Sequence, residues 1–329
     1  MSFAQVQGQE MAVGSLRRAL RSGRLHHAYR FEGPAGVGKG MVALALGQAL
    51  VCERPVEGEG CGQCSSCRRA VTISQEPPYV PLHPDIIVLE RGLYSSLGKD
   101  LDEKQNLSTE QVRRVLLGRL NFPPHEGRGR LVVIKQAEEM NASAANALLK
   151  TLEEPPPRTY FVLITSRGRL LLDTIRSRTL LLRFAPLGEG VMRGILRQHK
   201  VAPEALDSVI ELAGGSVSAA LDFADAEETA ARQAFVDSVK AALAAPDAGE
   251  AMALAAARDK EKESLRERLV ALAVSLAREG REKAMAGESC GAAPEQVSAA
   301  LQAVRELERN ISPALVVETM LLRMRQAMV

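Results

Sequence analysis

The sequence predicts an α/β protein: a parallel-sheet domain with an inserted cysteine module, then a small helical domain, then an all-α domain. Three observations carry that prediction. Short apolar runs alternate with helical patterns through the first 185 residues, a glycine-rich turn joins the first run to the first long helix, and no strand-like run follows Pro186. The five runs have the length and apolarity of buried parallel strands. They are AYRFE (28–32), DIIVLE (85–90), RLVVIK (130–135), TYFVLIT (159–165) and TLLLRF (179–184).

Helical patterns separate the runs. MVALALGQALV follows the glycine turn. STEQVRRVLLGRL opens on Ser108, whose hydroxyl suits an N-cap, and places Val112, Val115, Leu116 and Leu120 on one helical face. NASAANALLKTLEE is stopped by Pro155, Pro156 and Pro157, because proline lacks the amide hydrogen and disfavours helical geometry just before it. These elements predict a three-layer sandwich around one parallel sheet. Residues 186–226 read as short helices broken at Gly214-Gly215. Residues 227–329 read as Ala/Leu-rich amphipathic helices broken near Pro246-Asp247, across Gly287–Pro294 and before Pro313. The expected domains are therefore 1–185, with the cysteine module at about 52–67, then 186–226 and 227–329.

Composition narrows the class. Of 329 residues, 46% are hydrophobic but only 3% are aromatic and none is Trp, so the cores must be built from Leu, Val, Ala and Ile. The net charge of +2 comes from 42 basic and 40 acidic residues, which is not the balance of a general polyanion binder. No stretch approaches the roughly 18 uninterrupted apolar residues of a membrane span, and the first residues lack the apolar core of a signal peptide. A cytoplasmic protein is expected.

The chemistry begins at GPAGVGKG, Gly33 to Gly40, placed between a strand and a helix. A phosphate loop reads G-x-x-x-x-G-K-[ST] and cradles phosphates with backbone N–H groups and the positive end of the following helix. Gly33, Gly36, Gly38 and Lys39 fit it. Gly40 replaces the hydroxyl that helps hold Mg²⁺. A hydrolase also needs carboxylates at the end of a later strand. After RLVVI come Lys135 and Gln136, with Glu138 and Glu139 displaced by a further turn's rise and not expected to substitute. Descent from a nucleotide loop is expected and hydrolysis is not. Binding of ATP or ADP stays open.

Four of the five cysteines lie within sixteen residues: Cys52, Cys61, Cys64 and Cys67, spaced C-x8-C-x2-C-x2-C. Four thiolates satisfy tetrahedral Zn²⁺ and leave no open position, the pattern of a structural site. Gly60 and Gly62 are expected to permit the turns that aim the sulfurs inward. Cys290 reads as an ordinary thiol in a loop, and Arg17, Arg18, Arg21 and Arg24 as a solvated helix face. His26 and His27 read as packing or capping residues, and Ser177 lacks the setting of a catalytic nucleophile.

LHHAYRFEGPAGVGKG, the cysteine module, NALLKTLEEPP, TYFVLITSRGRLLLDTIRSRT and AGGSVSAAL, spanning roughly residues 3–225, together resemble the bacterial clamp-loader subunits of the AAA+ class. The ending ISPALVVETMLLRMRQAM resembles the collar helices of that family. The resemblance is strongest to the delta-prime branch of DNA polymerase III. The S-R-C motif reads Ser177-Arg178-Thr179, the acidic box reads Lys135-Gln136, and the second-sensor arginine falls on Ser218. The last two, with Gly40, depart from the ATPase branch, gamma/tau, which remains the alternative together with an independent AAA+ ATPase.

The resemblance implies a RecA-like AAA+ domain, a helical lid and a helical collar. It implies a ring with delta and gamma/tau subunits that loads a sliding clamp on primed DNA, within the DNA-directed DNA polymerase holoenzyme. It also implies that Arg178 is an arginine finger acting on a neighbour's ATP.

Overall fold

The computed structural model describes residues 2–98, 106–224, 226–245, 262–309 and 311–328. The chain divides into two compact units, one of residues 1–195 with 215–218, the other of residues 196–214 with 219–329. The lid expected over 186–226 is thus shared between the two units.

The first unit is built on five parallel strands: β1 (Ala28–Glu32), β2 (Ile86–Leu89), β3 (Arg130–Ile134), β4 (Thr159–Thr165) and β5 (Leu180–Arg183), in the order β2-β3-β4-β1-β5. All pairings are parallel and each strand lies within one residue of the run that predicts it. The interior strands are apolar on both faces because helices cover both. On one face Ile87, Leu89, Val132, Ile134, Phe161 and Leu163 pack with residues of a helix over 109–120 and of a second helix, Ala142–Glu153. On the other, α2 (Lys39–Val51) approaches so closely that a Cβ at Gly47 would lie 2.9 Å from Ile86 Cδ1. Before β1 runs α1 (Glu10–Arg21), and after α2 comes the short α3 (Ser65–Val71).

The helix over 109–120, here α4, opens with a reciprocal cap. Ser108 Oγ accepts from Gln111 N–H at 3.1 Å, and Gln111 Oε1 accepts from Ser108 N–H at 2.9 Å. Its middle, Val112–Leu117, is wound with the wider π spacing. The helix Ala142–Glu153, α5, is capped by Asn141, whose Oδ1 accepts from Ala144 N–H at 2.7 Å. A short α6 (Asp173–Ser177) leads into β5.

One buried carboxylate ties the loop after α4 to the sheet. Asp85, just before β2, accepts N–H groups from His125, Glu126 and Gly127 at 2.6, 2.8 and 2.7 Å. Arg130 lies 3.7 Å from it and donates to the carbonyls of Arg119 and Phe122, both at 2.9 Å. Burial alone would push the Asp85 carboxyl up, but the three amide donors and Arg130 outweigh it and hold the group below the usual carboxylate range.

In the second unit, α8 (Leu206–Ala213) ends on left-handed Gly214, with φ 54°. It follows α7 (Glu189–Gln198) in the chain, and α9 (Val217–Ala224) comes next. Among the described residues, four longer helices follow: α10 (Ala226–Ala244), α11 (Lys262–Met285), α12 (Ala293–Glu308) and α13 (Pro313–Gln326). Phe235, Leu269, Leu272, Ala303, Val316 and Met320 form the centre of their core. Val316, Val317, Met320, Leu321 and Met324 of ALVVETMLLRM are buried in it, and Leu315 and Leu322 stay exposed. The break expected near Pro246-Asp247 lies outside the described residues. Among those described, no helix is long and apolar enough to cross a membrane.

Removing the Asp85 carboxylate by Asp85→Ala should cost about 3–5 kcal/mol, because Arg130 and three amides lose their buried partner. Denaturant unfolding of the whole chain measures this. With a lowered native pKa, the Asp85 contribution is fully present above about pH 4 and fades as pH falls through the native value. The variant should therefore lack that acid-sensitive component, and a loss below about 1 kcal/mol would refute the pinning role.

Candidate functional site

The carboxyl ends of the strands assemble the site. Gly33 N–H donates to the carbonyl of Thr165, the last residue of β4, at 3.3 Å, so the glycine loop springs from the interior of the sheet, between β4 and β5. Gly36 and Gly38 take positive φ, 67° and 97°, which side chains rarely adopt, and Gly38 is the N-cap of α2. Lys39 is only 6% exposed. Its ammonium donates to the carbonyl of Gly33 at 2.5 Å and to that of Pro34. Burial lowers its pKa to about 8, with the Glu138 carboxylate opposing the shift.

The loop is covered by the segment after the second glycine break. Val217 N–H donates to the Gly36 carbonyl at 3.0 Å. A Cβ at Gly36 would lie 2.1 Å from Ser218 Oγ and 2.5 Å from Ser216 Oγ. Ser218, at the second-sensor position, therefore reaches the loop as a packed hydroxyl. Around Gly40 a Cβ would meet nothing within 4 Å. What Gly40 lacks is the hydroxyl, not the room for one.

The end of β3 carries no carboxylate. Lys135 Nζ pairs with Glu90 Oε2 at 2.7 Å, and Gln136 is exposed in the left-handed region, φ 45°. The 3-10 turn Ala137–Glu139 then brings Glu138 back to the sheet edge, with its side chain only 5% exposed. Its Oε1 accepts from Ser166 N–H at 3.1 Å and lies 3.8 Å from Arg167 Nε. Its Oε2 is buried with no hydrogen-bond partner. Sequence spacing discounted Glu138; the turn returns it to the field of Lys39. The left-handed backbone of a non-glycine residue is not a signal that composition or spacing reveals.

Arg178 follows α6 and faces its own domain. Nε donates to Glu153 Oε1 at 2.8 Å, and Nη2 donates to the same oxygen. Nη1 donates to the Thr174 carbonyl at 2.9 Å and to Ser177 Oγ at 3.3 Å. Its neighbour Arg176 pairs with Asp173 at 2.8 Å.

Away from the loop, the sulfurs of Cys52, Cys61, Cys64 and Cys67 all lie within 4.8 Å of one another, so the four cysteines could bind a metal ion. Cys61 and Cys67 Sγ are 4.0 Å apart. Four sulfurs at about 2.3 Å from a tetrahedral zinc would stand about 3.8 Å from one another, close to this spacing. Backbone N–H groups already point at the sulfurs. Cys61 N–H donates to Cys52 Sγ at 3.3 Å, Cys64 N–H to Cys61 Sγ at 3.4 Å, and Cys67 N–H to Cys64 Sγ at 3.4 Å. The amides of Cys64 and Gln63 pull the Cys61 thiol down to about 6, while burial pushes Cys52 and Cys67 up.

Gly62 does adopt positive φ, 71°, as expected of a turn glycine. Gly60 does not, and the reason for glycine there is contact: a Cβ would lie 2.9 Å from the Gln48 backbone. Of the supposed solvated arginines, Arg17 pairs with Glu59 at 2.9 Å and Arg21 with Glu57, both inside the cysteine excursion. His26 stacks on His27, whose Nε2 meets the Leu152 carbonyl at 3.0 Å. Cys290 Sγ meets the Gly280 carbonyl at 3.4 Å.

Residues 8–188 match the protein family described as DNA polymerase III, delta subunit. The tau subunit of DNA polymerase III from Salmonella typhimurium is 31% identical over 337 aligned positions, covering 95% of this chain and 48% of that protein. The delta' subunit from Escherichia coli is 32% identical over 216 positions, covering 65% of this chain and 59% of that one. The chain thus spans about half the length of these curated relatives. Among solved structures, a gamma-subunit-related protein of DNA polymerase III from Thermotoga maritima aligns with a TM-score of 0.47 at 15% identity, covering 96% of this chain and 99% of that one. The chain belongs to the DNA polymerase III delta-subunit family, the clamp-loader family that also takes in its delta' and gamma/tau relatives.

Proposed function

We propose that this chain is a delta-prime-type clamp-loader subunit: a ring member that does not hydrolyse ATP itself and lends Arg178 to a neighbouring ATPase subunit. The observation that carries the reading is the pairing of Gly40 with Lys135-Gln136. The loop has room for the Mg²⁺-holding hydroxyl but lacks it, and the first two positions after β3 hold a cation and an amide. Developing negative charge on a transferred phosphoryl group would find no hydroxyl at Gly40 and no carboxylate at Lys135-Gln136, and the Glu138 carboxylate near Lys39 is engaged by the Ser166 amide and Arg167. Partners in this reading are delta and gamma/tau subunits, with the sliding clamp and primed DNA reached through the ring. Similarity to tau along 95% of the chain favours a gamma/tau-like motor as the second reading, and ATPase assays separate the two.

A guanidinium is permanently charged, and its planar fork matches phosphate oxygens. An arginine supplied in trans needs no chemistry in its own loop, which is compatible with the losses around Gly40. The pure chain should show no Mg²⁺-dependent ATP hydrolysis. In the reconstituted ring, Arg178→Ala should lower clamp- and DNA-stimulated hydrolysis by the neighbour about 10³-fold if that finger alone is engaged, whereas Arg176→Ala should do much less. Robust turnover by the pure chain, abolished by Lys39→Ala, would overturn the reading.

The metal is proposed to be zinc, held by Cys52, Cys61, Cys64 and Cys67 in a closed, structural role. The donor set, the sulfur spacing and the three N–H···S contacts support this. Metal analysis of reduced protein should give one zinc per chain, and Cys67→Ser should lose it together with thermal stability. Well under one zinc in the unmodified protein would count against the assignment.

The helical residues 227–329 are proposed to form a collar that joins the collars of other subunits. Because most of their apolar positions are internal, the candidate contacts are the exposed Leu301, Leu315 and Leu322. Leu315 and Leu322 are two turns apart on one face of α13. The double variant Leu315→Glu/Leu322→Glu should leave the melting temperature of the chain near wild type and weaken ring assembly by at least about tenfold. Unchanged assembly would remove this face from the interface.

A further inference from the structure

We propose that Glu153 parks Arg178, and that the arginine reaches a neighbour's phosphates only by exchanging this carboxylate for them. The inference rests on the finger assignment made under the proposed function and adds to it a gate within this chain.

A guanidinium offers five donors in a rigid fork, and a phosphate is gripped by two of them side by side. Here the Nε/Nη2 edge is turned onto a single carboxylate oxygen, Glu153 Oε1, with Nε at 2.8 Å. Nη1 is given to the Thr174 carbonyl at 2.9 Å and to Ser177 Oγ at 3.3 Å. Neither edge of the fork is left with two open donors. The parked pose is held from both sides by fixed backbone. Glu153 is the last residue of α5, directly before the Glu154-Pro155-Pro156-Pro157 stop, and Thr174 and Ser177 belong to α6.

The pair is also built to open. Arg178 is 32% exposed and Glu153 is 47% exposed, so both groups are solvated and reachable from outside. Ion pairs this exposed are weak, and their loss shifts a population by no more than about fivefold. A nucleotide triphosphate carries more charge and more acceptor oxygens than one carboxylate. Brought within reach, it outcompetes Glu153 for the Nε/Nη2 edge; at a distance it does not. Glu153 thereby lowers the share of arginine free to reach the neighbour, by up to about fivefold, until the neighbouring nucleotide is docked.

The sign of one measurement separates parking from simple positioning. A residue that parks the finger raises the neighbour's rate when it is removed, while a residue that only aims the finger lowers it. Wild-type chain, Glu153→Gln, Arg178→Ala and the double variant are each assembled with the ATPase and delta subunits. Hydrolysis is then measured at saturating ATP without clamp or DNA, on complexes matched for assembly by gel filtration. Glu153→Gln should raise this basal rate about two- to fivefold, and Glu153→Asp, which keeps the charge, should restore a lower rate. The double variant should match Arg178→Ala. An unchanged or lower rate for Glu153→Gln, with Arg178→Ala still impaired, overturns the gate and leaves the finger standing. A rise that persists in the double variant overturns the gate as well, because Glu153 would then act elsewhere. No effect of Arg178→Ala removes the finger, and the gate with it.

Discussion

β1 is hydrogen-bonded on both sides, and the glycine loop is positioned from it. Residues Ala28–Glu32 register with Phe161–Thr165 of β4, and Tyr29–Glu32 with Leu180–Arg183 of β5. Buried amides and carbonyls must be paired, so this interior strand cannot slide without breaking two ladders at once. Its end therefore fixes where the glycine loop begins. The next amide, Gly33 N–H, is bound to Thr165, and Phe184 N–H is bound to the Glu32 carbonyl at 2.8 Å. Because the strands are parallel, the loop after β1, the turn after β3, the end of β4 and the exit from β5 all fall on one edge of the sheet.

At that edge, groups that a nucleotide engine would use on phosphate are engaged with the protein itself. The Lys39 ammonium is bound by the carbonyls of its own loop, Lys135 by Glu90, and Glu138 by the Ser166 amide and Arg167. The Gly36 carbonyl accepts from Val217. Each buried charge or dipole is expensive unless partnered, and these internal contacts supply most of the partners. Under the proposed reading the glycine loop serves as a structural element, and the contribution of the chain lies in Arg178 and its partner Glu153.

The cysteine excursion shows the same economy in a region with little apolar core. Its cluster of buried residues consists of the cysteines themselves. It is fastened to α2 by Gln48, whose Nε2 donates to the Cys67 carbonyl at 2.8 Å, and by the close approach of Gly60 to the Gln48 backbone. It is fastened to α1 by the pairs Arg17–Glu59 and Arg21–Glu57. The arginines that look like an idle charged face in one dimension are braces in three.

Local and periodic features could be read from the residues alone. The five strands were legible because buried parallel strands are short apolar runs. Ser108 was legible because a hydroxyl before an amphipathic repeat satisfies orphan amides, and the end of α5 because three prolines cannot continue a helix. The four cysteines that gather in the fold declared themselves by spacing. The tertiary structure alone decided which distant groups meet. The left-handed Gln136 that returns Glu138 to the loop, the backbone of Gln48 that requires Gly60, and the Glu153 that grips Arg178 across 25 residues leave no periodic trace. The same is true of the inward turn of Val316, Val317 and Met320. Such contacts depend on which faces are buried against one another, and burial is settled by the packing of whole elements rather than by any one segment's pattern.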